Sequence, residues 1–344
     1  MDSPSDLSSA AHSPVPTPPR VWTVLVAFAL LVTAILVGGV ISASIAMAME
    51  MLRSGVSPQD TGAIQALTEK LKLMPWLMVA AVMTSSCLGL VAALMGGFLS
   101  PTPLKQRLRL DAGTPMPAWA WVAALVGCFT MGQAMESLSV LAGVWNYAAS
   151  LKGLQAASQG SFATFAALLF FGALVAGTAE ELFFRGYVQT RLVERWGRTA
   201  GIAGAATLFG ILHFDPIHSP MALMMGLFLS WLAERTGSLR LPIFVHVFNN
   251  LTSFLLSRYA PSTTELPASA HVTLLAVCTL VFVGVVMALR RMNARSPEGE
   301  RPSFRHRARG RTHPRTRGAA RRHARGTARD WACGWRHPVS PCPR

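Results

Sequence analysis

The chain has 344 residues, of which 51% are hydrophobic and only 14% charged, and its mean hydropathy is +0.39. A soluble globular chain carries about 25% charged residues, so this composition argues against that class and for a membrane protein. The formal net charge is +15, and the segment from Arg290 to Arg344 supplies 16 Arg against three acids, or +13, so the excess of positive charge belongs to the tail. None of the five Cys forms a CxxC pair, so neither a zinc ribbon nor a disulfide framework is predicted.

The first predicted element in chain order is a Pro- and Ser-rich N-terminal arm, residues 1–20, which we expect to be disordered. The apolar stretch that follows is too long for the ~7–15-residue core of a signal peptide and long enough to span a bilayer. The pattern predicts an all-α, polytopic transmembrane bundle of about eight spans: 21–49, 75–99, 117–143, 161–190, 200–215, 219–234, 239–258 and 270–290.

This pattern divides the chain into three N-terminal spans with their loops (21–160), a core (161–258), a last span (259–290) and a basic disordered tail (291–344). Lys and Arg cluster after the second, fourth, sixth and eighth spans. Because basic loops face the cytoplasm, both termini are predicted to be cytoplasmic. We expect an integral protein of a bacterial cytoplasmic membrane.

The tail admits three interpretations. Its Arg residues could bind anionic lipid, at about 1 kcal/mol for each residue near the surface. It could equally be a solvated segment, or a stretch translated from a shifted reading frame of a GC-rich gene. We assign no chemistry to it.

Ionisable residues inside apolar spans are functional candidates, because burying them in a membrane is costly. The fourth span contains Glu180, Glu181 and Arg185. Glu181 and Arg185 are four residues apart and share a helix face, so they are predicted to pair. Glu180 points about 100° away and is left as a free carboxylate that could take a proton from water. An ion-pair cluster that only locks helices together is the structural alternative.

The fifth span contributes Phe209 and His213. If the fourth and fifth helices form a hairpin that turns near Gly197, then Glu180 and His213 lie roughly 25 Å and 24 Å from the turn, hence at similar depth. A carboxylate and an imidazole at one depth could hold and activate a water molecule.

The seventh span contributes His246 and Asn250, which are four residues apart and project from one face. Both can donate hydrogen bonds, as a tetrahedral oxyanion requires. The alternative is an interhelical polar contact, worth about 0.6 kcal/mol in membranes. Asp215 and His218, in a short connection, are interpreted as surface groups.

Together the motifs EExxxR, FxxxH and HxxxN, in this order, resemble the CPBP (CAAX protease and bacteriocin-processing) family, and in particular type II CAAX prenyl endopeptidases. The resemblance covers about residues 162–256. It implies that Glu180 and His213 activate the hydrolytic water and that His246 and Asn250 form an oxyanion hole. It also implies that Glu181 and Arg185 are the supporting pair of the first motif.

The implied activity is that of a glutamate-type intramembrane endopeptidase acting on a membrane-associated peptide or protein, prenylated or not. No cofactor and no nucleic-acid partner are expected, and the lipid bilayer is the expected environment. A zinc protease remains open, because His213, His246 and a Glu could ligate zinc. So does a non-enzymatic scaffold or bacteriocin-immunity protein that uses the same polar cluster structurally.

One geometric difficulty accompanies the shared site. His246 lies only about 10 Å beyond Arg240, whereas Glu180 lies ~25 Å from its turn. The two can meet if the turn near Gly197 projects past the membrane surface, with Arg191, Arg195 and Arg198 in water or among headgroups. A separation of Glu180 and His246 above about 12 Å would exclude a shared site.

Overall fold

The computed structural model describes residues 20–72 and 74–292. The predictions for the N-terminal arm and for the basic tail lie outside these residues, apart from Arg20, Arg291 and Met292. The domain boundaries drawn from the sequence stay predictions.

Every regular element within the described residues is a helix and none is a strand, which confirms the all-α, polytopic helix bundle. Two short 3-10 turns, Trp145–Tyr147 and Thr263–Glu265, lie between helices. In chain order the helices are α1 Trp22–Ser54, α2 Thr61–Lys72, α3 Pro75–Phe98, α4 Leu104–Arg107, α5 Ala118–Leu141, α6 Ala149–Ser158, α7 Phe162–Trp196, α8 Arg198–Ile211, α9 His218–Thr236, α10 Arg240–Tyr259 and α11 Ala268–Arg291.

Each of the eight predicted spans corresponds to a helix, and five of these helices, α1, α3, α5, α7 and α11, are long and apolar enough to cross a membrane. Helix α8 has 14 residues and is about 21 Å long, too short to cross a ~30 Å hydrocarbon core without help. Helices α9 and α10 have 19 and 20 residues, and α10 carries His246 and Asn250 of the candidate site. The number of complete spans therefore stays a prediction.

Long apolar side chains on the outer helices point away from the protein. Leu30 and Val40 of α1 and Leu280 of α11 are each about two-thirds exposed or more. Such a surface fits lipid and would be unfavourable in water.

Helix α7 lies at the centre of the fold and packs against α3, α8, α9 and α10. Its side chains Phe183 and Phe184, together with Phe209 of α8, form the middle of the largest buried apolar cluster. Helix α7 also contains two π-helical segments, Leu169–Val175 and Glu181–Val188. Such wide turns in an α-helix occur frequently at functional sites.

The predicted hairpin turns at Gly197, whose φ of +83° and ψ of 170° are accessible only to glycine. The expectation that Arg191, Arg195 and Arg198 lie in water or among headgroups holds in part. Arg195 and Arg198 are exposed, but Arg191 is 9% exposed. Its guanidinium lies over the Tyr187 ring and donates to Thr23 of α1, so it fastens α1 to α7 instead of entering water.

Candidate active site

The middle of α7 places the two adjacent glutamates in different surroundings. Glu181 and Arg185 are both 0% exposed and lie 2.8 Å apart, as the four-residue spacing predicts. The Glu180 side chain is 23% exposed. Adjacent positions on a helix differ by about 100°, so one carboxylate points into the helix packing and the other into an accessible space.

His246 of α10 lies between these two carboxylates. Its Nδ1 is 2.8 Å from Glu181 Oε1, and its Nε2 is 3.6 Å from Glu180 Oε2. The separation is far below the ~12 Å limit set for a shared site. The difference in depth estimated from the sequence therefore does not keep α7 and α10 apart.

The close approach of α7 and α10 depends on a glycine. An added Cβ at Gly177 would lie 3.0–3.1 Å from the backbone and side chain of Val247, the residue after His246. Because Gly177 has no side chain, the backbone of α10 can come close enough for His246 to reach the carboxylates.

Phe209 of α8 packs against both histidines. Its ring centroid is 5.0 Å from that of His213 and 6.0 Å from that of His246. The Arg185 guanidinium lies over the ring, 4.4 Å from the centroid, in a cation–π contact. Phe209 therefore contacts both imidazoles and the Arg185 guanidinium.

The tautomer of His213 follows from its hydrogen bond. Its Nδ1 lies 2.9 Å from the Phe209 carbonyl oxygen, which can only accept, so Nδ1 carries the proton. In the neutral ring the lone pair is then on Nε2, which can accept a proton from water. No hydrogen bond or ion pair joins His213 to Glu180 in the described part of the chain.

Asn250 lies one turn beyond His246 on α10 and is partly buried. Its Nδ2 donates to the Gly172 carbonyl oxygen at 3.1 Å, within the first π-helical segment of α7. An amide nitrogen has two protons, so the second can serve another acceptor.

The interpretation of Asp215 as a surface group is wrong, and His218 is partly buried. Asp215 is 5% exposed, and its carboxylate accepts from the backbone N–H groups of Ile217, His218 and Ser150. The His218 ring hydrogen-bonds with the Ser150 hydroxyl and packs 4.3 Å from His213. These contacts fix the connection that ends α8 and fasten it to α6. The available sequence signal was an Asp three residues ahead of a helix, where its carboxylate can accept from the first backbone N–H groups.

A bound metal ion requires several ligating side chains that converge on one point. Within residues 20–72 and 74–292, no group of three or more His, Cys, Asp or Glu side chains is placed to hold a metal ion.

The residues of the three motifs therefore lie together around His246. The helices that carry them belong to one continuous segment of the chain. Residues 162–252 match the family described as Rce1-like, type II CAAX prenyl endopeptidase. The match confirms the resemblance drawn from the motifs for this segment, which contains every candidate residue.

No curated protein and no solved structure matches the chain. The Rce1-like segment implies an intramembrane protease of the CAAX type and, with it, a membrane-associated substrate and a lipid environment. The apolar helices agree with an integral membrane protein.

Proposed function

We propose that the protein is a glutamate-type intramembrane endopeptidase in which Glu180 and His213 activate the hydrolytic water. One observation carries the proposal: His246 joins a buried Glu181–Arg185 pair on one side to the accessible Glu180 on the other. A purely structural cluster has no need of a partly exposed fourth member, since exposure weakens its ionic contacts.

In the proposed reaction, a water molecule between Glu180 and the His213 Nε2 attacks the scissile carbonyl carbon. Its proton passes to the Glu180 carboxylate, which then protonates the leaving nitrogen as the C–N bond breaks. The products are a carboxylate and an amine, and Glu180 returns to its starting state.

By the resemblance, His246 and Asn250 donate hydrogen bonds to the oxyanion. Their contacts limit which of their atoms can do so. Since His246 Nδ1 faces Glu181, only Nε2 can donate to the substrate, and it must be protonated to do so. Asn250 can donate with the amide proton that Gly172 does not use. Arg185 and Glu181 hold His246 in place and touch no substrate.

The test is cleavage of a peptide library and of membrane-anchored substrates, prenylated and not, by the purified protein. We expect cleavage by the wild type, loss in Glu180→Ala and in His213→Ala, and survival in the presence of a chelator. Inhibition by the chelator alone would instead assign these residues to a metal site. Absence of cleavage from folded wild type on every membrane-anchored substrate would favour the scaffold or immunity function.

A further inference from the structure

A buried polar row extends from the candidate site along the contact between α7 and α9. Helix α7 contributes Glu181, Arg185 and Gln189 at four-residue spacing, and α9 contributes Gly226, Ser230 and Glu234 at the same spacing. Arg185 Nη2 donates to the Gly226 carbonyl at 3.3 Å. Gln189 Nε2 donates to the Ser230 carbonyl at 3.0 Å and to the Glu234 carboxylate at 2.9 Å.

The two ends of the row differ. At one end Glu181 contacts His246, in the candidate site. At the other end Glu234 pairs with Arg109, and these two side chains are 11% and 17% exposed. From Glu181 to Gln189 the row covers about 12 Å along the helix. The row therefore connects the Glu181 side of the candidate site with the end of the bundle that carries Arg109, here called the basic end. Glu180 is not part of this connection.

Polar atoms along this row lack partners. Four side-chain atoms are fully buried and accept or donate no hydrogen bond within the described residues: Glu181 Oε2, Arg185 Nε, Gln189 Oε1 and Ser230 Oγ. Buried polar atoms are rarely left unsatisfied, because their loss of hydration is uncompensated. Buried ordered water is the usual partner of polar atoms that the protein leaves unsatisfied.

We propose that this row, which we call the α7–α9 polar row, binds a file of ordered water molecules. The waters would complete the hydrogen bonds of Glu181, Arg185, Gln189 and Ser230. A second role rests on the proposed function: while a substrate covers Glu180, the file keeps the Glu181–His246 pair in proton exchange with water at the basic end.

The file itself is tested on the wild type, by an experimental structure at about 2 Å, where ordered water is visible. We expect solvent density within hydrogen-bonding distance of Glu181 Oε2, Gln189 Oε1 and Ser230 Oγ. A continuous protein contact at these atoms with no density between α7 and α9 would overturn the proposal. This result does not depend on any proteolytic activity.

The second role is tested with Gln189→Leu and Ser230→Ala, using Ser139→Ala as the control. Ser139 is also a buried helical serine, but its hydroxyl bonds only to the backbone of its own helix. We expect kcat to fall about tenfold in the two row variants with KM unchanged, and no change in the control. Melting temperatures identify variants that fail to fold.

An unchanged kcat in folded row variants would overturn the second role and leave the waters with a structural one. A wild type without proteolysis would overturn the proposed function instead, and the density would still decide whether the file exists.

Discussion

Adjacent glutamates with opposite surroundings are the main result at the residue scale. Glu181 is enclosed with Arg185 and His246, whereas Glu180 keeps an accessible face. Substituting Glu180 should therefore affect mainly activity, and substituting Glu181 should affect mainly stability.

We predict that Glu180→Gln lowers cleavage by a factor of at least ~100 with little change in melting temperature, because it removes the proton acceptor and no buried ion pair. Glu181→Gln should instead lower the free energy of unfolding by about 3–5 kcal/mol, since it leaves Arg185 buried without its counter-charge. Cleavage assays and thermal unfolding of both variants check this. Equal loss of stability in the two would mean that Glu180 is structural.

The Glu181–Arg185 pair can be isolated by a double-mutant cycle. We expect Glu181→Gln and Arg185→Met to destabilise strongly alone, and the double variant to be about 1–3 kcal/mol more stable than the sum of the two effects, because no unpaired charge remains. Reversible unfolding in detergent measures the three free energies. Strict additivity would show that the pair contributes no coupling, against the 2.8 Å contact.

At the scale of the elements, the site depends on how closely α7 and α10 approach. Gly177 allows this contact, and the π-helical segments of α7 lie on either side of Ala176–Glu180. Helix α10 supplies both His246 and Asn250, so a shift of one helix would displace two groups at once.

We predict that Gly177→Ala lowers the free energy of unfolding by about 1–3 kcal/mol and reduces cleavage, because the new methyl group meets the backbone of Val247 and moves His246 away from Glu180. Gly132→Ala in α5 is the matched control, since no atom lies within 4 Å of its added Cβ. There the change should be neutral or stabilising by about 0.5–1 kcal/mol. Activity assays with thermal unfolding distinguish the two, and a fully active Gly177→Ala would show that α10 can adjust.

At the scale of the whole molecule, charge determines orientation. Arg195 and Arg198 at the α7–α8 turn and Arg235 and Arg240 around the α9–α10 turn lie at the ends that the loop pattern assigns to the cytoplasm. The 260–267 connection, between α10 and α11, contains no Lys or Arg.

We predict that green fluorescent protein fused to the C-terminus of the chain fluoresces in a bacterial host. Alkaline phosphatase fused after Ser262 should be active, because that enzyme functions only outside the cytoplasm and the loop is predicted to lie there. Active phosphatase at the C-terminus would instead indicate an inverted or odd-numbered topology.

The sequence alone determined much of this protein. Its apolar helices, the four-residue spacing of Glu181 and Arg185, and the hairpin at Gly197 are consequences of local periodicity and of glycine chemistry. The three motifs also indicated the family, because their residue types and order are specific.

Only the tertiary structure decided which groups meet. The position of His246 between two carboxylates, the burial of Asp215 and the unpaired atoms along the α7–α9 polar row depend on contacts between helices distant in sequence. The prediction that Arg191 faces water was wrong for the same reason. The sequence shows the charge of Arg191, but only the structure shows that Tyr187 and Thr23 lie beside it. Helix periodicity fixes the face on which a side chain lies, and the packing of whole helices fixes what that face touches.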